Sequence, residues 1–359
     1  MPAAAATARV ESAWAPSRSR SSAATSRICR RLRVFASSTL QCYDIRRITD
    51  SDSGTKNSVT AIRRERLMNR VGYGAMQLAG PEVWGFPDDP EAARRVLRLA
   101  VELGVTFFDT ANAYGPRTVN QLIGQALGPI PEGVIVGNKV GAERGPDKSW
   151  IVDGRPETVR RQVHEALTDM GTDASELTYL RLVGDTPGAH QDVPLEESLG
   201  ALVELRDQGL IRRIGLSGAS PQMLARAQQM TPIVAVQNRF NLLDRSGVQV
   251  LADCETQGIL FIPYFPLAAG RLSDHQELTG PAERLGATSA QIALAWLLRR
   301  SPSTVVIPGT SSTDHLRSNI AASEVAEQLT DTEVARLTGL VDESQAALGQ
   351  PTPPAQSHR

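Results

Sequence analysis

The chain of 359 residues is poor in cysteine: it has three (Cys29, Cys42 and Cys254) and no C-x-x-C pair. That scarcity excludes a disulfide scaffold and a thiolate zinc site, and it fits a reducing compartment, the cytoplasm. Charge of one sign is also lacking, with 38 Lys and Arg against 39 Asp and Glu, so the long-range field of a general nucleic-acid binder is missing. No long hydrophobic run occurs. The longest, 259–270, carries two prolines and falls short of the roughly 20 apolar residues that span a bilayer. Of five histidines only His315 lies near an expected strand end, and no H-E-x-x-H occurs, so no metal site is expected. The segment Gly215–Leu216–Ser217–Gly218–Ala219 lacks the second glycine of a hydrolase nucleophile elbow.

The near-zero net charge averages unlike parts. Residues 1–43 hold seven arginines and a single acid, Glu11, in an Ala/Ser-rich context. This is the composition of a transit peptide, and equally that of a spurious leader, so residues 1–68 are expected to be a disordered basic leader and linker. The polar, Pro-rich residues 346–359 are expected to form a disordered tail. A single folded domain is expected over 69–345.

Within it one unit repeats: an amphipathic helix, a glycine, then a short apolar run. Asp89 and Pro90 cap and open a helix that ends at Gly104; Pro156 opens another, closed by Gly171; others end at Gly209 and Gly258. Thr288 and Gln291 have capping-box spacing. Eight strands are expected, at 71–76, 105–109, 134–139, 177–183, 211–216, 233–237, 259–264 and 304–307. Strand–helix alternation implies a parallel sheet, and eight βα units in about 280 residues suit an α/β (β/α)8 TIM barrel, typically about 250 residues. A doubly wound sheet would need a third glycine after Gly72 and Gly74, where Gln77 stands instead.

In such a barrel the reactive groups gather at the C-terminal strand ends. Asp109, Lys139, Arg181, Ser217, Gln237, Asn238 and Tyr264 are polar residues at those ends, and Tyr114 follows Asp109 in a loop. A buried ammonium beside a phenol lowers the phenol's pKa, which makes a proton donor. Each residue also has a plainer reading: Asp109–Lys139 as a structural ion pair, Tyr114 as packing, Arg181 as a partner for Asp185.

The order of motifs decides between these readings. Segments 104–115 (GVTFFDTANAYG), 120–124 (NQLIG), 138–141 (NKVG), 214–217 (IGLS), 236–238 (VQN), 263–267 (PYFPL), 307–312 (IPGTSS) and 315–319 (HLRSN) resemble, in this sequence, the aldo-keto reductase family. Segments 70–80, 180–185 and 261–267 look most like its bacterial pyridoxal/pyridoxine-reductase-like branch. The resemblance implies reduction of a small-molecule aldehyde or ketone by NADPH, with NADH less favoured. A pyridoxal-like aldehyde is the first candidate and a ketone of secondary metabolism the second; nucleic-acid and membrane partners are not expected.

It further implies that Tyr114 is the general acid, that Lys139, held by Asp109, depresses the Tyr114 pKa, and that Arg181 stands where the family usually has histidine. A guanidinium can polarise a carbonyl but cannot relay a proton. Tyr264, Pro266 and Leu267 would border the nicotinamide, and Ser217 and Gln237 would hold its carboxamide. The family's asparagine after that serine is replaced by Gly218. Thr310, Ser311 and His315 would meet phosphates, and Asn319 the adenine. Trp84, Phe86 and Trp150, with Arg239 and Phe240, are candidates for the substrate wall. The alternative is a catalytically weak NADP(H)-binding barrel acting as a binding module, suggested by Arg181 and Gly218.

Overall fold

The computed structural model describes residues 70–182, 193–272 and 275–348. The expected leader, most of the expected tail and Asp185 lie outside them. Several helix ends fall where capping chemistry dictates. In α1 (Pro90–Glu102), Asp89 accepts the backbone N–H of Ala92, Pro90 occupies the first turn, and Ala93, Val96, Leu97 and Ala100 form one buried face. Helix α3 (Pro156–Met170) stops at Gly171, whose φ of +63° is the left-handed conformation that favours glycine. Thr288 and Gln291 form the full capping box of α8 (Ser289–Arg300). Between α1 and α3 lies α2 (Thr118–Leu127), and α4 (Leu195–Asp207), α5 (Pro221–Met230), α6 (Val248–Gln257) and α7 (Gln276–Leu285) precede α8. The chain then closes with α9 (Thr313–Ile320), α10 (Ala322–Gln328) and α11 (Asp331–Leu348).

Seven parallel strands form the sheet: β1 (Tyr73–Gly74), β2 (Phe107–Ala111), β3 (Ile135–Val140), β6 (Leu177–Arg181), β7 (Ile214–Ser217), β8 (Ile233–Arg239) and β9 (Leu260–Tyr264), hydrogen-bonded in that order. The expected eighth strand is not a continuous ladder. Residues 303–309 instead bond to both edges: Gly72 N–H donates to Val306 O and Gly74 N–H to Pro308 O on one side, while Phe261 N–H donates to Ser303 O on the other. The two edges are thereby joined, and the sheet is a barrel. Its first strand is shorter than expected because a 3₁₀ turn, Ala75–Leu78, takes over. A small antiparallel hairpin, β4 (Ala142–Arg144) with β5 (Trp150–Val152), occupies what reads in the sequence as loop.

Strand alternation sorts the apolar residues. Phe108, Val136, Leu180, Leu216 and Phe261 pack outward with the helices, whereas Phe107, Ile135, Leu177, Tyr179, Leu260, Ile262, Val305 and Ile307 form a separate interior cluster. Each fully buried side chain of this size stabilises by about 1.5–3 kcal/mol. Tyr179 is wholly buried among them, and glycines make its space. A Cβ on Gly137 would come within 2.8 Å of its ring, and one on Gly215 within 2.5 Å. Above this floor the interior positions turn polar, which sets the site at the C-terminal ends. Among the described residues no helix is long and apolar enough to cross a membrane.

Candidate active site

Register brings the strand-end residues level. Ala111 pairs with Lys139, and Arg181, Ser217 and Gln237 pair in a row across three strands. Lys139 Nζ donates to Asp109 Oδ1 at 2.6 Å and to Thr110 O at 3.0 Å, and all three residues are buried. The second carboxylate oxygen of Asp109 accepts from Gln237 Nε2 at 2.7 Å, so both oxygens are held. Lys139 Nζ also lies over the Tyr114 ring, 4.9 Å from its centroid. A hydrogen-bonded chain therefore runs Gln237–Asp109–Lys139, with Tyr114 packed against the ammonium.

The loop carrying Tyr114 is fixed from behind by amides that sequence reading did not single out. Asn138 Nδ2 donates to Asn112 Oδ1 at 2.9 Å, Asn120 Nδ2 reaches both, and Thr110 Oγ1 donates to Asn120 Oδ1 at 2.8 Å. Each of these groups is buried and partnered, as a rigid polar network requires. Gly115 follows with φ +74°, and its N–H donates to Val83 O.

Burial sets the sign of the Tyr114 shift. Desolvation raises the phenol's pKa above its ordinary value, the Asp109 charge adds to the rise, and the Lys139 and Arg181 charges offset only part of it. The net direction is upward. Lys139 lowers the phenol, but burial outweighs it, and Tyr114 is a protonated donor at neutral pH. For Lys139 burial pushes the ammonium down, yet the Asp109 charge and the hydrogen bond to it raise it overall. The amine stays cationic.

Arg181 reaches Ser217 Oγ with Nη1 at 3.2 Å and lies 5.6 Å from the Tyr264 ring centroid. Arg239 faces the same ring at 5.7 Å and is ion-paired to Asp244 at 3.8 Å. Ser217 and Gln237 are buried and paired at adjacent strand ends, and Tyr264 ends the strand that follows, paired with Arg239. Where Gly218 stands, the turn is held by Asn238, which accepts from Ala219 N–H at 3.0 Å and donates to Ala219 O at 2.7 Å. Arg181 links the two sides, bonded to Ser217 and facing the Tyr264 ring, and the hydroxyl, amide and aromatic groups at these strand ends are of the kinds that suit a flat carboxamide-bearing ring such as nicotinamide. Pro266 is buried and Leu267 partly buried just beyond Tyr264.

Farther along the chain Ser312 caps α9, Thr310 Oγ1 accepts from Ser312 N–H at 3.0 Å, Ser311 and His315 are exposed, and Asn319 is buried. Hydroxyls and a helix N-terminus suit an anion, although Asp314 also lies in that first turn.

Trp150 meets Tyr114 edge-on at 6.3 Å, and Trp84 and Trp150 both flank Arg144. Phe86 is half exposed. Phe240, expected at the substrate wall, is instead buried, stacked on Trp296 at 5.8 Å and edge-on to Phe261, and so belongs to the core. Among the described residues no three His, Cys, Asp or Glu side chains gather as a metal-ligating group.

Residues 70–342 match the family model described as Aldo/keto reductase family. Pyridoxine 4-dehydrogenase of Escherichia coli (strain K12) is 42% identical over 261 residues, covering 72% of this chain and 91% of that protein. A probable aldo-keto reductase 1 of Glycine max is 33% identical, covering 72% and 82%. A crystal structure of a thermostable aldo-keto reductase in complex with the inhibitor epalrestat is 31% identical, with a TM-score of 0.66 over 76% of this chain and 95% of that one. An aldo-keto reductase of Klebsiella pneumoniae in complex with NADPH, 24% identical with a TM-score of 0.62 over 80% and 93%, shares the fold.

Proposed function

Because the chain belongs to the aldo/keto reductase family, we propose that it is an NADPH-dependent reductase of an aldehyde or ketone, with a pyridoxal-like aldehyde as substrate. The observation that carries this reading is the buried chain from Gln237 through Asp109 to Lys139, with Tyr114 packed against the ammonium at the strand ends. NADPH, when bound, supplies the hydride. Ser217, Gln237, Tyr264, Pro266 and Leu267 would hold its nicotinamide end, while Thr310, Ser311, His315 and Asn319 would hold the phosphate and adenine end. His315, with Arg317 nearby, favours a 2′-phosphate and hence NADPH over NADH.

The protein's own work is proton delivery. Tyr114 gives its phenolic proton to the carbonyl oxygen as that oxygen becomes an alkoxide. The tyrosinate left behind is stabilised by Lys139, and Asp109 keeps that ammonium charged in a buried site. Arg181 polarises the carbonyl with a permanent charge, where a neutral imidazole would share a proton. The 42% identity to a pyridoxine 4-dehydrogenase supports the pyridoxal-like substrate. A ketone of secondary metabolism is the other substrate class, and the cytoplasm is the proposed location.

The test is the loss of NADPH absorbance with a panel of carbonyls that includes pyridoxal, run in parallel with NADH. Turnover of pyridoxal with NADPH is expected. Tight NADPH binding with no turnover on any carbonyl would replace the reductase reading with that of a cofactor-binding module.

A further inference from the structure

Arg144, the last residue of β4, bonds to backbone on two separate segments. Its Nε and Nη2 donate to Lys148 O at 3.1 and 2.7 Å, Nη2 also donates to Glu82 O at 3.0 Å, and Nη1 donates to Val83 O at 2.9 Å. Those three carbonyls belong to strained residues: φ is +59° at Glu82, +56° at Val83 and +64° at Lys148. Among the described residues only six non-glycine positions have positive φ, and Arg144 holds three of them. Val83 is β-branched, for which this conformation is a genuine outlier. Backbone held in this way persists only where its surroundings over-determine it, and such places cluster at ligand clamps. Lys148 Nζ adds an ion pair to Glu82 Oε1 at 2.5 Å across the same gap.

The clamped segments carry the aromatic side chains beside the proton donor. The Arg144 guanidinium lies 4.2 Å from the Trp150 ring centroid and 5.6 Å from that of Trp84, and Trp150 meets Tyr114 edge-on. Val83 O also accepts the N–H of Gly115, which joins the clamp to the Tyr114 loop. With four bonds to backbone carbonyls, the guanidinium is largely used up inside the protein. What it presents to a substrate is the wall it assembles.

We propose that Arg144 is a positioning residue that pins the 82–84 turn to the 144–150 hairpin, and that the Trp84–Trp150 wall so formed selects planar aromatic carbonyl compounds. This rests on the proposed reductase function for its kinetic consequence and on geometry alone for the clamp. A lysine cannot replace it, because an ammonium has no planar fork to reach three carbonyls and no face to stack on tryptophan.

The experiment compares wild type with Arg144→Ala and Arg144→Lys. Both variants are expected to raise KM for an aromatic aldehyde about ten-fold or more, with kcat within about three-fold and a much smaller change for a short aliphatic aldehyde. Tryptic cleavage after Lys148 is expected to accelerate about ten-fold in both, since local opening of a released segment governs its proteolysis. NADPH binding, followed by fluorescence, is expected to be unchanged. An unaltered KM together with an unaltered cleavage rate would overturn the proposal, as would full rescue by lysine. If wild type reduces no aldehyde, the reductase reading fails, while cleavage after Lys148 still decides whether Arg144 is the clamp.

Discussion

Replacing Asp109 by asparagine keeps the shape of the side chain and deletes its charge. Lys139 Nζ, 2.6 Å from Asp109 Oδ1, would then be a buried ammonium without its carboxylate, still donating to Thr110 O. Removing one partner of a buried pair costs about 3–5 kcal/mol. In a chain of this size each kcal/mol moves Tm by roughly 2–4 °C, so Asp109→Asn is expected to melt roughly 6–20 °C below wild type at neutral pH. The pH dependence follows from the direction of the Lys139 shift. In wild type its pKa is raised, so its stabilisation is fully present below the unfolded lysine value of about 10.4 and is lost as pH climbs through the higher folded value. In the variant desolvation prevails and the folded pKa falls below the unfolded one. The penalty is then largest at neutral pH and fades toward about pH 10, so the two melting curves converge as pH rises. Differential scanning calorimetry across that range checks both the gap and its narrowing. A variant that melts with wild type at neutral pH, or a gap that stays constant with pH, would refute a Lys139 cation held by Asp109.

Tyr114→Phe should lose about 100-fold or more in kcat, the usual contribution of a general acid, with NADPH affinity retained in a fluorescence titration. Because burial raises the Tyr114 phenol, wild-type reduction rates should stay level through neutral pH and fall only on the alkaline side, which a pH–rate profile of kcat would read. Thr288→Ala removes the capping box of α8 and should lower stability by about 1 kcal/mol in chemical denaturation. The buried Cys254 thiol, pushed up to about 12, should resist alkylation in the native protein and react once denatured, as peptide mapping would show.

Where a residue type by itself decides local geometry, the chain could be read directly. Asp89 and Pro90 open α1, Gly171 ends α3, and Thr288 with Gln291 caps α8, all as their chemistry requires. Asp109, Lys139, Arg181, Ser217, Gln237 and Tyr264 were legible as strand-end residues because short apolar runs stop at each. Interactions set by tertiary distance were not. Gln237 finds Asp109 across 128 positions of sequence, and no local pattern marks that bond. Arg144 acts through backbone carbonyls, which carry no residue signature, and its hairpin lacks the alternation of a half-buried strand. The 303–309 segment reads as a strand by composition, yet it closes the barrel through separate bridges. The sign of the Tyr114 shift depended on burial, which neighbouring residue types do not reveal.

The tyrosine seated between Gly137 and Gly215, with the apolar cluster around it, plugs the barrel interior beneath Lys139. Substrate entry and product release are therefore expected from the loop end. Anyone widening the specificity of this protein therefore has room to work only outward. Libraries built on the Trp84, Phe86 and Trp150 segments, the proposed substrate wall, are expected to reshape what is accepted, whereas enlarging Gly215 or Gly137 drives a new side chain into the tyrosine ring and should yield insoluble protein before it yields new chemistry.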